Sequence, residues 1–304
     1  MSAPARLDYN AVLSERIDLS PSLAIFRVQP DHGVPAGDAW FTPGQYVTIG
    51  LNNEALRELG AVERPMSIAS SPQERRYLEF YVRRVERPAS RNPLTRLLWE
   101  RPIGSRLFVR LHPKGRFTIV DTVGASDRRV RVFVSAGTGL APFMSIVRSA
   151  VRESDRSIER CVVLHGASYV HELGYQAELE ALSVSRGLRY LPTVSRLAQQ
   201  WHGSRGRVED FFLPERIETT ECSLGLDRGT LAPQRAVIYV CGLRGTVDQV
   251  VGRLLGRGFV PADRRMRSGL SIAEGAPGSL FWEQYDHERR TTLRSCRERE
   301  EGST

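Results

Sequence analysis

Lysine is almost absent from this sequence. Lys114 is the only one, so nearly all of the 43 basic residues are arginines, and with 35 acidic residues the formal net charge is +8. No basic run is interleaved with aromatic residues in the manner of single-strand binders, so no nucleic-acid partner is expected. Long apolar runs are also missing. None approaches the roughly 18 residues needed to cross a bilayer. Met1 to Asn10 has neither the basic start nor the apolar stretch of a secretory signal. No membrane association is expected. Cysteine is scarce: Cys161, Cys222, Cys241 and Cys296 follow no pairing rhythm. That pattern favours a reducing compartment, and a cytoplasmic protein is expected. These cysteines are too far apart to hold an iron–sulfur cluster, and no metal site is expected.

What is present falls into two rhythms, and 304 residues suffice for two cores. Up to about residue 120 the chain reads as short strands between turn residues. Leu23 to Gln29, Gln45 to Leu51, Tyr77 to Val85 and Arg106 to Leu111 are examples, with breaks at Pro43-Gly44 and Ile103-Gly104. This spacing predicts an antiparallel β-barrel or sandwich. A helix is predicted over Pro93 to Glu100, with Asn92 as its N-cap. Beyond Asp127, strands and helices alternate. Strands are predicted at Val130–Ser135, Cys161–Leu164, Leu188–Val194 and Ala236–Val240, and helices at Pro142–Glu153, Gln176–Leu182 and Thr246–Leu255. Alternation of this kind predicts a parallel α/β domain. The expected domains are 1–124 and 125–286, with a polar, disordered tail at 287–304. Glu218 to Arg235 reads as an inserted loop.

Three segments carry chemistry. Arg64-Pro65-Met66-Ser67-Ile68-Ala69-Ser70 offers a guanidinium fork for a phosphate and hydroxyls for the polar edge of a ring. About fifty residues later comes a turn with Pro113, Gly115 and Phe117, and between the two Tyr81 and Arg83 share one strand face. Gly137-Thr138-Gly139-Leu140-Ala141-Pro142-Phe143 follows an apolar strand and opens a helix. There glycines let a pyrophosphate approach the backbone and the helix start favours its charge. Cys241-Gly242 ends a further strand.

Together these segments resemble the ferredoxin–NADP⁺ reductase family in its bacterial form, over roughly residues 8–286. The resemblance implies an N-terminal antiparallel FAD-binding β-barrel followed by a C-terminal parallel α/β domain binding NADP(H). Arg64, Ser67 and Ser70 match the family's Arg-x-Tyr-Ser-x-x-Ser, which implies Arg64 on the FAD pyrophosphate and Ser67 beside the flavin. Met66 replaces the usual stacking aromatic and can offer its sulfur to a ring face or simply fill the core. Tyr81 and Arg83 match the second flavin strand, Leu94 and Thr95 the helix start facing the pyrophosphate, and Gly115 and Phe117 the Pro-x-Gly-x-Phe turn. Gly137, Thr138, Gly139 and Pro142 match the nucleotide turn. Cys241 and Gly242 match a Cys-Gly pair beside the nicotinamide, where the cysteine shapes the pocket rather than attacking.

Ser195, Arg196 and Arg207 resemble positions at the coenzyme's extra phosphate, although Ser168 stands where an arginine is usual. Glu283 and Tyr285 resemble the family's closing Glu-x-Tyr, near the active centre. The implied protein is a monomer that exchanges electrons between NADP(H) and an acidic one-electron carrier, ferredoxin or flavodoxin. Alternatives are the reductase component of an oxygenase, or a non-catalytic flavin or nucleotide sensor.

Overall fold

A computed structural model describes residues 6–35, 40–86, 88, 90–152, 157–196, 201–273 and 275–285; the tail read at 287–304 lies outside them. The first half forms one antiparallel sheet of β1 (Ala11–Ser20), β2 (Leu23–Pro30), β3 (Tyr46–Asn52), β4 (Ala61–Ser67), β5 (Leu78–Arg83) and β6 (Arg106–Lys114), in the order β4-β3-β6-β1-β2-β5. Strand β6 shows why the pattern folds this way: Leu107 and Val109 point into the core while Arg106 and Arg110 point out. The sheet curls until its edges meet. Just beyond β4, the Ala69 N–H donates to the Glu79 carbonyl at 2.8 Å.

Inside the curl lies a core that includes Phe26, Val28, Ile49, Leu51, Phe80 and Val109. Helix α1 (Leu94–Trp99) adds Leu94, Leu97, Leu98 and Trp99 to it. Burying each such side chain contributes about 1.5–3 kcal/mol. Asn92 does not cap this helix. Its side chain instead accepts from Asn53 Nδ2 at 3.0 Å and donates to the Leu59 carbonyl at 3.3 Å, because the loop between β3 and β4 folds over it.

Beyond this sheet come α2 (Ile119–Thr122) and a fully parallel sheet. Its elements are β7 (Val130–Ala136), α3 (Ala141–Arg152), β8 (Cys161–Ala167), α4 (Gln176–Arg186), β9 (Arg189–Val194), β10 (Ser204–Arg205), α5 (Ile217–Ser223), β11 (Ala236–Gly242), α6 (Arg244–Gly256), α7 (Arg264–Gly269) and β12 (Leu280–Gln284). The strand order is β10-β9-β8-β7-β11-β12. Even-numbered residues of β7, β8 and β11, such as Val132, Val134, Leu164 and Val240, pack with Val247, Val250 and Leu254 of α6. Odd-numbered ones, such as Phe133, Val163 and Tyr239, pack with Phe143, Met144 and Val147 of α3. That second cluster also takes in Leu23, Ile25, Tyr81 and Phe117 from the first half, so the two sheets share a core. Strands β2 and β5 are therefore buried on both faces over most of their length, and their apolar runs are interrupted by Arg27 and Glu79.

The stretch 218–235 is not a bare loop. It holds most of α5, and Leu224 and Leu231 join the α6-side core. Glu221, 1% exposed, accepts the backbone N–H groups of Gly229 and Leu231 at 2.9 and 2.6 Å, which satisfies its buried charge.

Candidate active site

The parallel sheet changes direction between β7 and β11. From β7 the chain steps through β8 and β9 to one edge, then returns to lay β11 and β12 on the other. Ligands of such sheets bind outside the strand C-termini at that point. A cavity of about 1200 Å³ opens there and runs across to the first sheet. The turn Gly137–Leu140 crosses so close to β11 that a Cβ on Gly139 would lie 2.0 Å from the Cys241 carbonyl oxygen. Gly139 is a packing requirement. Gly137 is different: its φ is +55°, and the nearest atom to an added Cβ is an Arg83 nitrogen at 3.9 Å. Its backbone faces open space.

From the first sheet come Arg64, Met66 and Ser67 on β4, whose free edge tolerates Pro65. Arg64 is exposed and donates to the Glu63 carbonyl at 2.8 Å. Among the described residues it forms no ion pair, which leaves most of its fork for an anion. Met66 packs against the barrel core and also lines the cavity. Leu94 and Thr95 bring the start of α1 to the same cavity. Tyr81 and Arg83 also line it, but their polar ends are engaged across the junction. The Tyr81 hydroxyl donates to the Glu172 carbonyl at 3.0 Å and accepts from Gly174 N–H at 3.2 Å, and Arg83 pairs with the Glu172 carboxylate at 2.8 Å.

At the centre stands Tyr285, beyond β12. Its hydroxyl lies 3.2 Å from Ser67 Oγ and 3.4 Å from the Thr138 carbonyl oxygen, and it also interacts with the Cys241 thiol. Cys241 is fully buried beneath the cavity, and its β12 register partner is Glu283. Burial, reinforced by the Glu283 charge, pushes the Cys241 pKa up, so the sulfur stays a neutral thiol and is no nucleophile. Burial also raises the Glu283 carboxyl to about 7, and its Oε2 has no hydrogen-bond partner. A carboxyl titrating there can hold or release a proton near neutral pH.

The far end of the cavity is cationic. Ser168, Ser195, Arg196 and Arg207 line it. Arg196 donates to the Tyr169 hydroxyl at 2.7 Å and lies 5.2 Å from the centre of that ring. Arg207 is 3.7 Å from Glu209 and largely exposed.

Several residues singled out in the sequence lie outside the lining. Ser70 accepts the Glu79 N–H at 3.2 Å, Gly115 turns beside the Tyr46 ring, and Phe117 packs between Phe143 and Tyr239. Pro142 is buried in the first turn of α3, and Gly242 closes β11. Sequence reading missed Tyr169, which holds Arg196, and the junction residues Glu79, Arg148, Glu172 and Tyr175. The available signal was a single charge inside each of two apolar runs, Glu79 in β5 and Arg148 in α3.

The family model for the oxidoreductase NAD-binding domain matches residues 133–251. The chain is 30% identical over 245 residues to a ferredoxin–NADP reductase of Azotobacter vinelandii, covering 78% of this chain and 86% of that one. The chain belongs to the ferredoxin–NADP reductase family. As a member it is an oxidoreductase, and its two-sheet architecture is shared with solved relatives. The Neisseria gonorrhoeae ferredoxin NADP⁺ reductase, solved with FAD and NADP, superposes with a TM-score of 0.69 at 21% identity, over 93% of this chain and all of that one. The phenol hydroxylase P5 protein of Acinetobacter pittii is 28% identical over 89% of this reductase-family chain and 68% of its own length. Among the described residues no helix of this family member is long and apolar enough to cross a membrane, and no group of His, Cys, Asp and Glu is arranged to hold a metal ion.

Proposed function

We propose that this chain binds FAD and NADP(H) in the shared cavity and exchanges electrons between NADP(H) and a one-electron carrier protein, ferredoxin or flavodoxin. The observation that carries this reading is the Tyr285 hydroxyl set between Ser67 of the first sheet and Thr138 of the second, which places the two motif sets on one cavity. The residues present fit both groups. Arg64 has free donors for a pyrophosphate beside the start of α1, and Gly137 leaves the backbone open for a second one. Arg196 and Arg207, with Ser195, suit the extra phosphate of NADPH. When bound, FAD supplies the exchange between a hydride and single electrons that a nicotinamide and such a carrier require.

The protein's part is placement. Ser67, Thr138 and Tyr285 close the centre. Glu283 can hold or release a proton beside it near neutral pH, and the neutral Cys241 thiol adds no charge to the floor. Cys222 and Cys241 are free thiols, in keeping with a cytoplasmic location.

A carrier would meet the cavity mouth on the first-sheet side. Arg84 lines it and Arg91 lies exposed nearby, and among the described residues neither pairs with a carboxylate. A positive rim steers acidic partners, and screening shortens from about 10 Å at 0.1 M salt to about 3 Å at 1 M.

The test is purification with FAD, then stopped-flow electron transfer to acidic ferredoxins and flavodoxins. Transfer should slow steeply with salt and after Arg84→Glu or Arg91→Glu, while reduction of a small neutral dye by NADPH changes little. Colourless protein that ignores added FAD overturns the reading. A second reading, the reductase component of an oxygenase, draws on the extended match to the phenol hydroxylase P5 protein. It is favoured if transfer to every ferredoxin and flavodoxin stays negligible while the dye is reduced quickly.

A further inference from the structure

We propose that Arg148 is a positioning residue. Its guanidinium locks the antiparallel sheet against the parallel one and so sets the spacing between the Ser67 segment and the Gly137–Leu140 turn. Only the effect on electron transfer rests on the function proposed above.

Arg148 is the one charged residue in the otherwise uncharged stretch of α3 from Ala141 to Val151. A charge so placed is costly unless every donor finds a partner. Its Nε and Nη2 each donate to the Glu178 carboxylate of α4 at 2.7 Å, a bidentate pair. Its Nη1 reaches the other sheet, donating to Glu79 Oε1 at 2.7 Å and to the Ala69 carbonyl at 2.9 Å. The Glu79 carboxylate, 1% exposed, also accepts from Arg27 Nε at 2.8 Å and the Tyr175 hydroxyl at 3.0 Å. Burial alone would raise the Glu79 pKa, but the charge and hydrogen bonds of Arg148, with those of Arg27, hold it below the usual carboxylate range. Tyr175 is kept at φ +62°, a left-handed conformation that costs a tyrosine energy, with Arg148 lying 5.1 Å from its ring centre.

This arrangement does more than stabilise. Part of the junction, Phe117 against Phe143 and Tyr239, is apolar, and beside the contacts of Tyr81 and Arg83 to Glu172 this apolar attraction has no preferred direction. A planar guanidinium fork does. Both of its lever arms are stiff and short. Ala69 lies two residues beyond Ser67 and is tied to β5 through Glu79. Arg148 stands two helical turns, about 10 Å, from the start of α3, which follows the Gly137–Leu140 turn directly. A tilt at Arg148 therefore changes the gap between Ser67 and Thr138 that Tyr285 now spans.

The test uses the full chain carrying Cys222→Ser and Cys296→Ser, with spin labels at Ile103→Cys and Val184→Cys. Both labelled positions are exposed, one on each side of the junction. With Arg148 intact, electron–electron resonance should give one narrow distance distribution; with Arg148→Met or Arg148→Lys it should broaden or shift. In the unlabelled protein with FAD bound, the same variants should slow flavin reduction at saturating NADPH by on the order of tenfold or more. FAD content and the NADPH dissociation constant should stay as they were. If Arg148→Met does not accumulate as folded protein, Arg148→Lys and Tyr175→Phe carry the same measurements with smaller expected changes. An unchanged distance distribution in folded variants, with only a lower melting temperature, overturns the proposal. If the protein takes up no FAD, the functional reading fails while the distance measurement still decides the role of Arg148.

Discussion

The two sheets meet at one cavity but build their sides of it differently. The antiparallel sheet contributes side chains, with Arg64, Met66 and Ser67 projecting from an edge strand. The parallel sheet also contributes side chains, such as Arg196, Glu283 and Tyr285, but at its Gly137–Leu140 turn it contributes backbone, where Gly139 lets the turn lie against β11 and Gly137 leaves the chain open to a ligand. Arg64 and Ser67 can be changed without disturbing the fold, because unlike Met66 neither packs against the curl's core. A close-packed turn cannot, because every Cβ must go somewhere. Binding and folding are therefore separable on the first side and entangled on the second.

The sharpest way to break that comparison is at Gly139. Gly139→Val sets a side chain against the Cys241 backbone and should cost more than about 4 kcal/mol, read as loss of folded protein or of the urea transition. Gly137→Ala should cost only about 1–2 kcal/mol for its left-handed backbone while still weakening nucleotide binding. Equal tolerance at both glycines would erase the distinction.

Next comes Arg64→Ala. It should weaken FAD retention by about 1.5–3 kcal/mol and leave the urea midpoint of the FAD-free protein unchanged. A matching loss of FAD-free stability would show that side chains on this sheet are not separable from its fold.

At the cationic end, Arg196→Ala should raise the KM for NADPH several-fold and leave that for NADH nearly unchanged. Tyr169→Phe should follow in the same direction, more weakly, since it removes one hydrogen bond to the arginine. Equal losses for both coenzymes would make Arg196 structural.

The smallest effect concerns pH. Glu283 has a folded pKa raised by burial to about 7. Its cost is therefore fully present above that value and is relieved as pH falls toward the unfolded carboxyl range. Glu79 is shifted the other way. Its contribution is present above the unfolded pKa and is lost as pH falls through its lowered folded value. Urea unfolding should show stability rising modestly from pH 8 to pH 5 relative to Glu283→Gln, since His165, whose pKa burial lowers to about 3, affects both proteins alike. An unaltered slope would remove Glu283 as the titrating group.

Much of the architecture could be read before any coordinates. The strand at Leu23, the apolar strand before Gly137 and the helix after it all stand close to where their periodicity and turn residues put them. The misreadings at Asn92 and at 218–235 share one cause. Asn92 has the chemistry of a cap, yet its amide bonds to Asn53 and Leu59, residues brought near only when the sheet curls. Residues 218–235 look like a loop because Glu221 lies among polar neighbours in the sequence, while its partners are the backbone amides of a turn folded back over it.

By itself, then, the sequence determined the two sheets and their antiparallel and parallel character. Periodicity and turn chemistry act over a few neighbouring residues and survive in any one-dimensional reading. Tertiary structure alone decided the rest. Tyr285 meets Ser67 across 218 positions, and Arg148 meets Glu79 across 69. Glu283 is pushed toward neutrality, and Cys241 is sealed beneath the cavity. A charge's partner and a group's distance from water depend on which distant segments close over it, and that is settled only when both sheets have packed on their shared core.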